Sequence, residues 1–204
     1  DENEDLRQQN EELRREVIEA RAAARELELQ GTIAAYISGP RFPTDFEPVV
    51  ARIIGRPPTP YQQEVIVSAG SDDGIRRNAP VVSEEGNLVG KVTDVTDSAA
   101  RITLITDQSS SVSAVVDETE ASGVVRHGAS ASSLILDRVE KDEMVEERNT
   151  VITAGWTTDR FESLFPPGIP IGVVESVGQQ DVDLFKRIQI APLVDFDSLA
   201  AVVV

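Results

Sequence analysis

The sequence contains no cysteine, one histidine and few aromatic residues. Without cysteine there can be no disulfide, no thiolate metal ligand and no cysteine nucleophile. No run of about 18 apolar residues occurs, so these 204 residues predict no membrane-spanning helix. Acidic residues outnumber basic ones by 36 to 19, giving a net charge of −17. A surface this negative repels phosphate backbones and anionic lipid headgroups, so we expect no nucleic-acid partner.

The chain begins with a heptad pattern typical of a coiled coil. Apolar or small residues recur at alternating spacings of three and four, and Glu, Arg, Gln and Ala fill most positions between them. The pattern predicts a stalk over residues 1–35 that stops near Gly31, before the turn-prone Ser38-Gly39-Pro40. An amphipathic helix packed on its own domain is the alternative. The seam residues, which we predict to mediate dimerisation, are Leu6, Asn10, Leu13, Val17, Ala20, Ala24 and Leu27.

Two details of the seam favour a parallel dimer. Asn10 falls at an a position, where an asparagine lowers stability but fixes the register, most often in parallel pairs. In a parallel pair, Glu16 at g would face Arg21 at e of the partner helix, which is a favourable contact between the chains.

After Pro48 the pattern changes to short β-branched runs separated by Gly, Pro, Asp and Ser. Such runs predict a mainly β protein made of small barrels or sandwiches. The twelve predicted strands are Val49–Ile54, Glu64–Val67, Val81–Ser83, Leu88–Val95, Arg101–Ile105, Val112–Val116, Gly123–Arg126, Leu134–Val139, Thr150–Thr153, Ile171–Val177, Leu184–Ile190 and Ala200–Val204.

The runs also repeat, which predicts two six-stranded β-barrels produced by duplication. Val81-Val82 corresponds to Val151-Ile152 at an offset of 70, and Val89-Gly90-Lys91-Val92 corresponds to Ile171-Gly172-Val173-Val174 at an offset of 82. The difference of 12 indicates an insertion between the two matches. The repeat leaves two divisions open. Contiguous barrels would split near residue 120. Nested barrels would comprise residues 45–75 plus 150–204, and residues 76–149.

The insertion is our candidate partner-binding loop, because an exposed, rigid and apolar segment suits recognition. It holds the chain's only tryptophan, and its prolines would limit the entropy lost on binding. Pro167-Gly168 also suits the centre of a type II turn. The alternative is that its aromatic residues plug a barrel end. The predicted partner-binding residues are Trp156, Phe161, Leu164, Phe165 and Pro167.

Neither catalytic nor metal chemistry is predicted. Paired barrels are found in trypsin-like proteases, but a nucleophilic serine there needs a histidine base, and His127 is the only histidine. Next to Gly128 it is typical of a surface turn. The segment Gly70–Gly74 lacks the alternating oxygen ligands and final Glu of a calcium loop, so an Asx-rich turn is expected. We therefore predict no cofactor and no enzyme activity.

Between Val49 and Val204 the sequence resembles the MreC family of bacterial cell-shape proteins. The chain departs from the family at Arg148-Asn149, where Gly-Asp is common, and it lacks the family's transmembrane helix. The matching segments are Ala51–Arg56, Gly70–Ile75, Leu88–Val92, Leu104–Asp107, Thr153–Gly155 and Phe165–Gly172.

The resemblance implies a scaffold and favours the nested arrangement of barrels. Such proteins are single-pass inner-membrane proteins whose barrels lie outside the cytoplasm. They self-associate and link the cytoskeletal apparatus to class B penicillin-binding proteins and other membrane proteins of the elongation complex during sidewall growth. Contact with the membrane would run only through the missing N-terminal helix. An alternative function is a periplasmic adaptor of an efflux or secretion assembly, although such adaptors usually carry a two-legged helical hairpin. A degenerate protease-like enzyme is a third alternative for the function.

Overall fold

The computed structural model describes residues 2–39, 47–57, 63–130, 132–155, 157–158, 161–162, 164–178 and 184–204. For residues 2–5, 157–158 and 161–162 it describes the backbone alone. The chain divides into two units, Asp1–Pro43 and Thr44–Val204.

The first unit is a single long helix, α1, which spans Glu2–Ile37. At 1.5 Å per residue its 36 residues extend about 54 Å. The predicted stop at Gly31 is wrong, because one glycine costs only about 1 kcal/mol relative to alanine and no proline or second glycine follows before Gly39. The helix ends at Ser38-Gly39 instead, where the amide of Gly39 donates to the carbonyl of Tyr36 at 3.0 Å.

The second unit consists of two closed, antiparallel six-stranded barrels, so the predicted fold class is confirmed. Barrel 1 contains β1 (Val50–Gly55), β2 (Glu64–Val67), β3 (Pro80–Val82), β4 (Leu88–Val95), β5 (Ala100–Leu104) and β14 (Ala201–Val203). Barrel 2 contains β6 (Ser111–Val116), β7 (Ser122–His127), β8 (Leu134–Glu140), β9 (Thr150–Thr153), β12 (Pro170–Gly178) and β13 (Phe185–Pro192). A separate two-stranded hairpin is formed by β10 (Thr157–Thr158) and β11 (Phe161–Glu162).

Each barrel is filled by side chains from alternate strand positions. In β2, Val65 and Val67 are fully buried, and in β13 Ile188 and Ile190 are equally enclosed. This alternation of buried and exposed positions is the sequence signal that predicted the strands, and all twelve predicted runs form strands at nearly the predicted bounds.

The strand order confirms the nested arrangement but shows that its predicted bounds are wrong, and it excludes a contiguous split near residue 120. Around barrel 1 the order is β1-β14-β3-β4-β5-β2, and around barrel 2 it is β12-β13-β8-β7-β6-β9. Residues 76–104 therefore belong with β1 and β2, and residues 150–192 belong with β6 to β8. Only β14 returns to barrel 1, so barrel 2 is inserted whole between β5 and β14. Residue 120 lies in the β6–β7 turn, inside barrel 2.

The duplication itself is borne out by matching hydrogen bonds in the two barrels. Asn78 donates its amide to the carbonyl of Val92, and Arg148 donates to the carbonyl of Val174 in the same way. These pairs are related by the offsets of 70 and 82 found in the sequence. Asn78 and Arg148 also share a left-handed backbone, with φ of 67° and 74°. The turn at Arg148 thus takes a conformation that suits glycine or asparagine better than arginine.

The glycine shared by the two repeats has a steric cause. A Cβ on Gly90 would lie 2.1 Å from the carbonyl oxygen of Thr103, and one on Gly172 would lie 2.4 Å from Cγ2 of Ile190. Both glycines therefore let the next strand, β5 or β13, approach closely enough to close its barrel.

Candidate functional site: exposed surfaces of the helix and of barrel 2

The predicted seam of α1 lies open to solvent. Leu6 and Leu13 are each 59% exposed and Leu27 is 70% exposed. Asn10, Val17, Ala20 and Ala24 are exposed as well. A helix with an apolar stripe only a and d positions wide needs a partner helix to cover it.

The β9–β12 connection corresponds to the predicted insertion. Five residues join β3 to β4 in barrel 1, whereas sixteen join β9 to β12 and carry the β10–β11 hairpin. Its base is held by Thr153, whose hydroxyl donates to the carbonyl of Pro166 at 2.5 Å and accepts from the amide of Ile169 at 2.9 Å. The amide of Gly168 donates to the carbonyl of Thr153. These bonds fasten the second half of the loop onto β9.

Gly168 has the positive φ that the predicted type II turn at Pro167-Gly168 requires. Its φ of +83° is the value expected at the third position of such a turn. Gly155 lies against this turn, since a Cβ there would be 2.1 Å from the nitrogen of Pro167. The close approach of the two segments makes this part of the loop rigid.

The structure separates the predicted partner-binding residues. Phe165 is only 7% exposed and joins the apolar core, so its assignment to an exposed binding surface is wrong. Leu164 is 47% exposed and Pro167 is exposed. Trp156 and the side chain of Phe161 lie outside the described part of the structure.

His127 has a role that the sequence did not reveal. It ends β7 and is half-buried, and its Nδ1 lies 2.7 Å from the carbonyl oxygen of Thr106, so that nitrogen carries the donated proton. Thr106 belongs to the segment that leaves barrel 1 and enters barrel 2. The histidine therefore ties the two barrels together, which a lone histidine beside Gly128 did not indicate.

Asp107 organises the same crossover. Its carboxylate accepts from the amide of Gln63 at 2.8 Å, and from the amide and hydroxyl of Ser109 at 2.8 and 2.5 Å. Burial acts to raise the pKa of Asp107, but these bonds, first those from Ser109, and the charge of His127 outweigh it. The pKa therefore lies below its ordinary value.

The groove beside His127 lacks the groups of a hydrolase. It has a volume of about 600 Å³, and Glu175, Arg187 and Ser133 line it. The hydroxyl of Ser133 donates to the carbonyl of Ser130 and accepts from its amide, so it is committed to a turn. The ring of His127 is directed at a backbone carbonyl, and the pairing of nucleophile and base that acyl transfer needs is not made here.

The Gly70–Gly74 segment is the predicted Asx-rich turn. A single 3-10 turn, Ser71–Asp73, follows Gly70, and the carboxylate of Asp73 accepts from the amide of Gly70 at 2.9 Å. Asp73 thus caps backbone groups. Within the described residues no group of three His, Asp or Glu side chains is arranged to hold a metal ion. The same residues include no helix long and apolar enough to cross a bilayer.

The fold defines a tandem β-barrel protein with a long N-terminal helix. The family model for the rod shape-determining protein MreC, barrel core, matches residues 53–204. The chain therefore belongs to the MreC family, a family of structural cell-shape proteins and not of enzymes.

Individual relatives agree with this assignment. The cell shape-determining protein MreC of Listeria monocytogenes is 30% identical over 164 residues, covering 78% of this chain and 54% of that protein. A solved Listeria MreC structure has a TM-score of 0.67 at 27% identity and covers 100% of this chain and 94% of its own. A solved complex between penicillin-binding protein PBP2 and MreC from Helicobacter pylori has a TM-score of 0.60 at 13% identity. The match covers 77% of this chain and 96% of that chain. The chain spans about half the length of the curated relatives it matches.

Proposed function

We propose that this chain is an extracytoplasmic scaffold that dimerises through α1 and binds a class B penicillin-binding protein, linking the cell-shape apparatus to sidewall peptidoglycan synthesis. The observation that supports this most directly is membership of the MreC family across residues 53–204. The similar Helicobacter pylori structure was solved as a complex with PBP2. The protein would be held at the inner membrane by a single transmembrane segment outside these residues, and membrane fractionation with protease accessibility would test that orientation.

Self-association would use the seam of α1 in a parallel pair. Each large seam side chain is close to half exposed or more, so burying what remains exposed contributes roughly 1–2 kcal/mol. Four such side chains per helix, Leu6, Leu13, Val17 and Leu27, would together contribute about 8–16 kcal/mol to a pair, which is comparable with the cost of about 4–15 kcal/mol for association.

Aspartate at two seam positions tests the stalk. We expect Leu13→Asp with Leu27→Asp to give a folded monomer in sedimentation analysis, because charges would face each other in the dimer core. The matched control is Ile18→Asp with Ala22→Asp, since both residues are exposed but lie off the seam. A seam variant that stays dimeric would place self-association elsewhere.

Synthase binding would involve the exposed part of the β9–β12 connection, Leu164 and Pro167, on a base fixed by Thr153. The test measures binding of the full chain to the immobilised extracytoplasmic domain of a class B penicillin-binding protein from the same cell. We expect saturable binding and none to an unrelated periplasmic protein of equal charge. The absence of binding to every class B synthase of that cell would refute the proposed function.

The substitution Leu164→Ser tests whether the β9–β12 connection contacts the synthase. Because Leu164 is 47% exposed, we expect weaker synthase binding with an unchanged melting temperature. Val50→Ser is the control, since Val50 is equally exposed at 47% but lies on β1 of barrel 1. Equal binding by both variants would remove the loop from the interface while leaving synthase binding itself intact.

A further inference from the structure

The two ends of barrel 2 have different surroundings. The chain enters β6 from residues 105–110 and leaves β13 through residues 193–200, so both crossovers to barrel 1 attach at one end. The β9–β12 connection lies at that same end, because Pro170 pairs with Ile152. We name the opposite end, formed by residues 117–121, 140–149 and 184–186, the distal end.

The distal end exposes large apolar side chains. Met144 is 73% exposed, Leu184 is 83% exposed and Phe185 is 44% exposed. Strand pairing brings them to one rim, because Phe185 is the cross-strand partner of Glu140, and the Lys186 ammonium donates to the carbonyl of Glu143. Single exposed apolar residues are ordinary, but several at one rim indicate an interaction surface.

The charge around these side chains is strongly negative. The distal end carries eight carboxylates and three cations, a net charge of −5. Two of the three cations interact within the chain, since the Lys186 ammonium donates to the backbone carbonyl of Glu143 and Lys141 also has a partner. The carboxylates are Asp117, Glu118, Glu120, Glu140, Asp142, Glu143, Glu146 and Glu147.

The exposed apolar side chains and the surrounding negative charge together indicate which kind of partner would bind the distal end. The distal end of a second copy would bring a like charge of −5, and anionic lipid would be repelled in the same way. A basic protein surface with apolar side chains at its centre satisfies both features, because burial of apolar groups supplies affinity and opposite charge supplies orientation.

We infer that the distal end is a docking surface for a partner protein whose apolar contact residues are ringed by Lys and Arg. The inference rests on the proposed function, within which this partner surface belongs to the extracytoplasmic part of the synthase. It adds a second contact region to the scaffold. The nine residues of β12 separate the two ends of barrel 2, a distance of roughly 27 Å at 3.3–3.4 Å per residue, so loop and distal end are independently testable.

The test uses the full chain and the immobilised synthase domain, with two distal variants. One replaces Met144, Leu184 and Phe185 with Ser, and the other is Glu140→Lys with Asp142→Lys. We expect each to weaken binding at least tenfold, and the charge variant also to lose the fall in affinity that added salt causes in the wild type. Melting temperatures and dimerisation should not change, because all five residues are exposed.

Matched controls lie on barrel 1. On β1, Val50 and Ile54 are replaced with Ser, since they are 47% and 62% exposed. Asp94→Lys with Asp97→Lys is the charge control, because both residues are exposed. Both controls should bind within twofold of the wild type.

The outcomes separate this inference from the proposed function. Suppose that the wild type binds, that Leu164→Ser weakens binding, and that the distal variants leave it unchanged. This result would overturn the inference about the distal end but leave the proposed scaffold function standing. No wild-type binding would overturn both. Equal weakening by the barrel 1 controls, or loss of self-association in the distal variants, would also overturn the inference, the latter because the occupant would then be a second copy.

Discussion

Replacing Asp107 with asparagine should measure what the crossover between the barrels contributes to stability. One carboxylate oxygen accepts from Gln63 and the other from both donors of Ser109. An asparagine has one oxygen, which can keep Ser109, and its NH₂ group would then face the amide of Gln63. One hydrogen bond is lost and a half-enclosed donor is left without a partner. We expect the free energy of unfolding to fall by about 1–3 kcal/mol.

The effect of this substitution on the free energy of unfolding should depend on pH in a defined direction. Because the folded pKa of Asp107 is depressed, its charge stabilises the fold above the ordinary pKa of about 3.9, and this contribution is lost as the pH falls through the lower folded value. Urea unfolding of wild type and variant should therefore differ most near pH 7, and the difference should shrink as the pH falls through the depressed pKa of Asp107. The control is Asp97→Asn, at an exposed turn position. A difference that does not shrink as the pH is lowered, or that is equal in the control, would refute the reasoning.

Two further predictions concern the barrels. Phe165→Ala should lower the free energy of unfolding by about 3–5 kcal/mol, because it empties a buried site, and differential scanning calorimetry would show a large fall in melting temperature; an unchanged melting temperature would return Phe165 to the surface. Gly90→Ala should cost about 1–3 kcal/mol in urea unfolding, since its Cβ would overlap the Thr103 carbonyl, whereas a Cβ on Gly55 has only ordinary contacts. Equal effects of alanine at both glycines would contradict the steric account.

The strands could be predicted because each depends on local information. Alternation of buried Val and Ile with polar residues, and turns at Gly, Pro and Asp, act over a few residues. Helix α1 was predicted for the same reason, and its end was misplaced because a single glycine is a weak stop signal. The turn at Pro167-Gly168 could also be predicted, because its signal lies in two adjacent residues. Phe165 was misassigned because burial of an aromatic residue depends on where the loop folds back, which spacing does not encode.

The grouping of strands needed information that no local pattern holds. The repeat itself carried a clue, since equivalent strands of a duplication belong to different barrels, and Val81 and Val151 are equivalent. That clue requires residues 150–192 to leave barrel 1. The repeat alone does not show the return of β14 to barrel 1, which the nested arrangement did predict. In barrel 1, β14 takes the position that β6 takes in barrel 2, between the equivalents of β7 and β9.

The return of β14 makes the barrels unequal. Barrel 2 is formed by the continuous segment 111–192. Barrel 1 is closed by β14, which follows the whole of barrel 2 in the sequence and pairs with β1. Val202 then pairs with Ala51, and the Arg56 guanidinium holds the preceding segment by donating to the carbonyls of Phe196 and Leu199. The two barrels are therefore tied by both crossovers, at residues 105–110 and 193–200, and by the bond from His127 to Thr106. A distal end presented to a partner is carried on a barrel that is anchored at its opposite end, which is the arrangement a rigid scaffold requires.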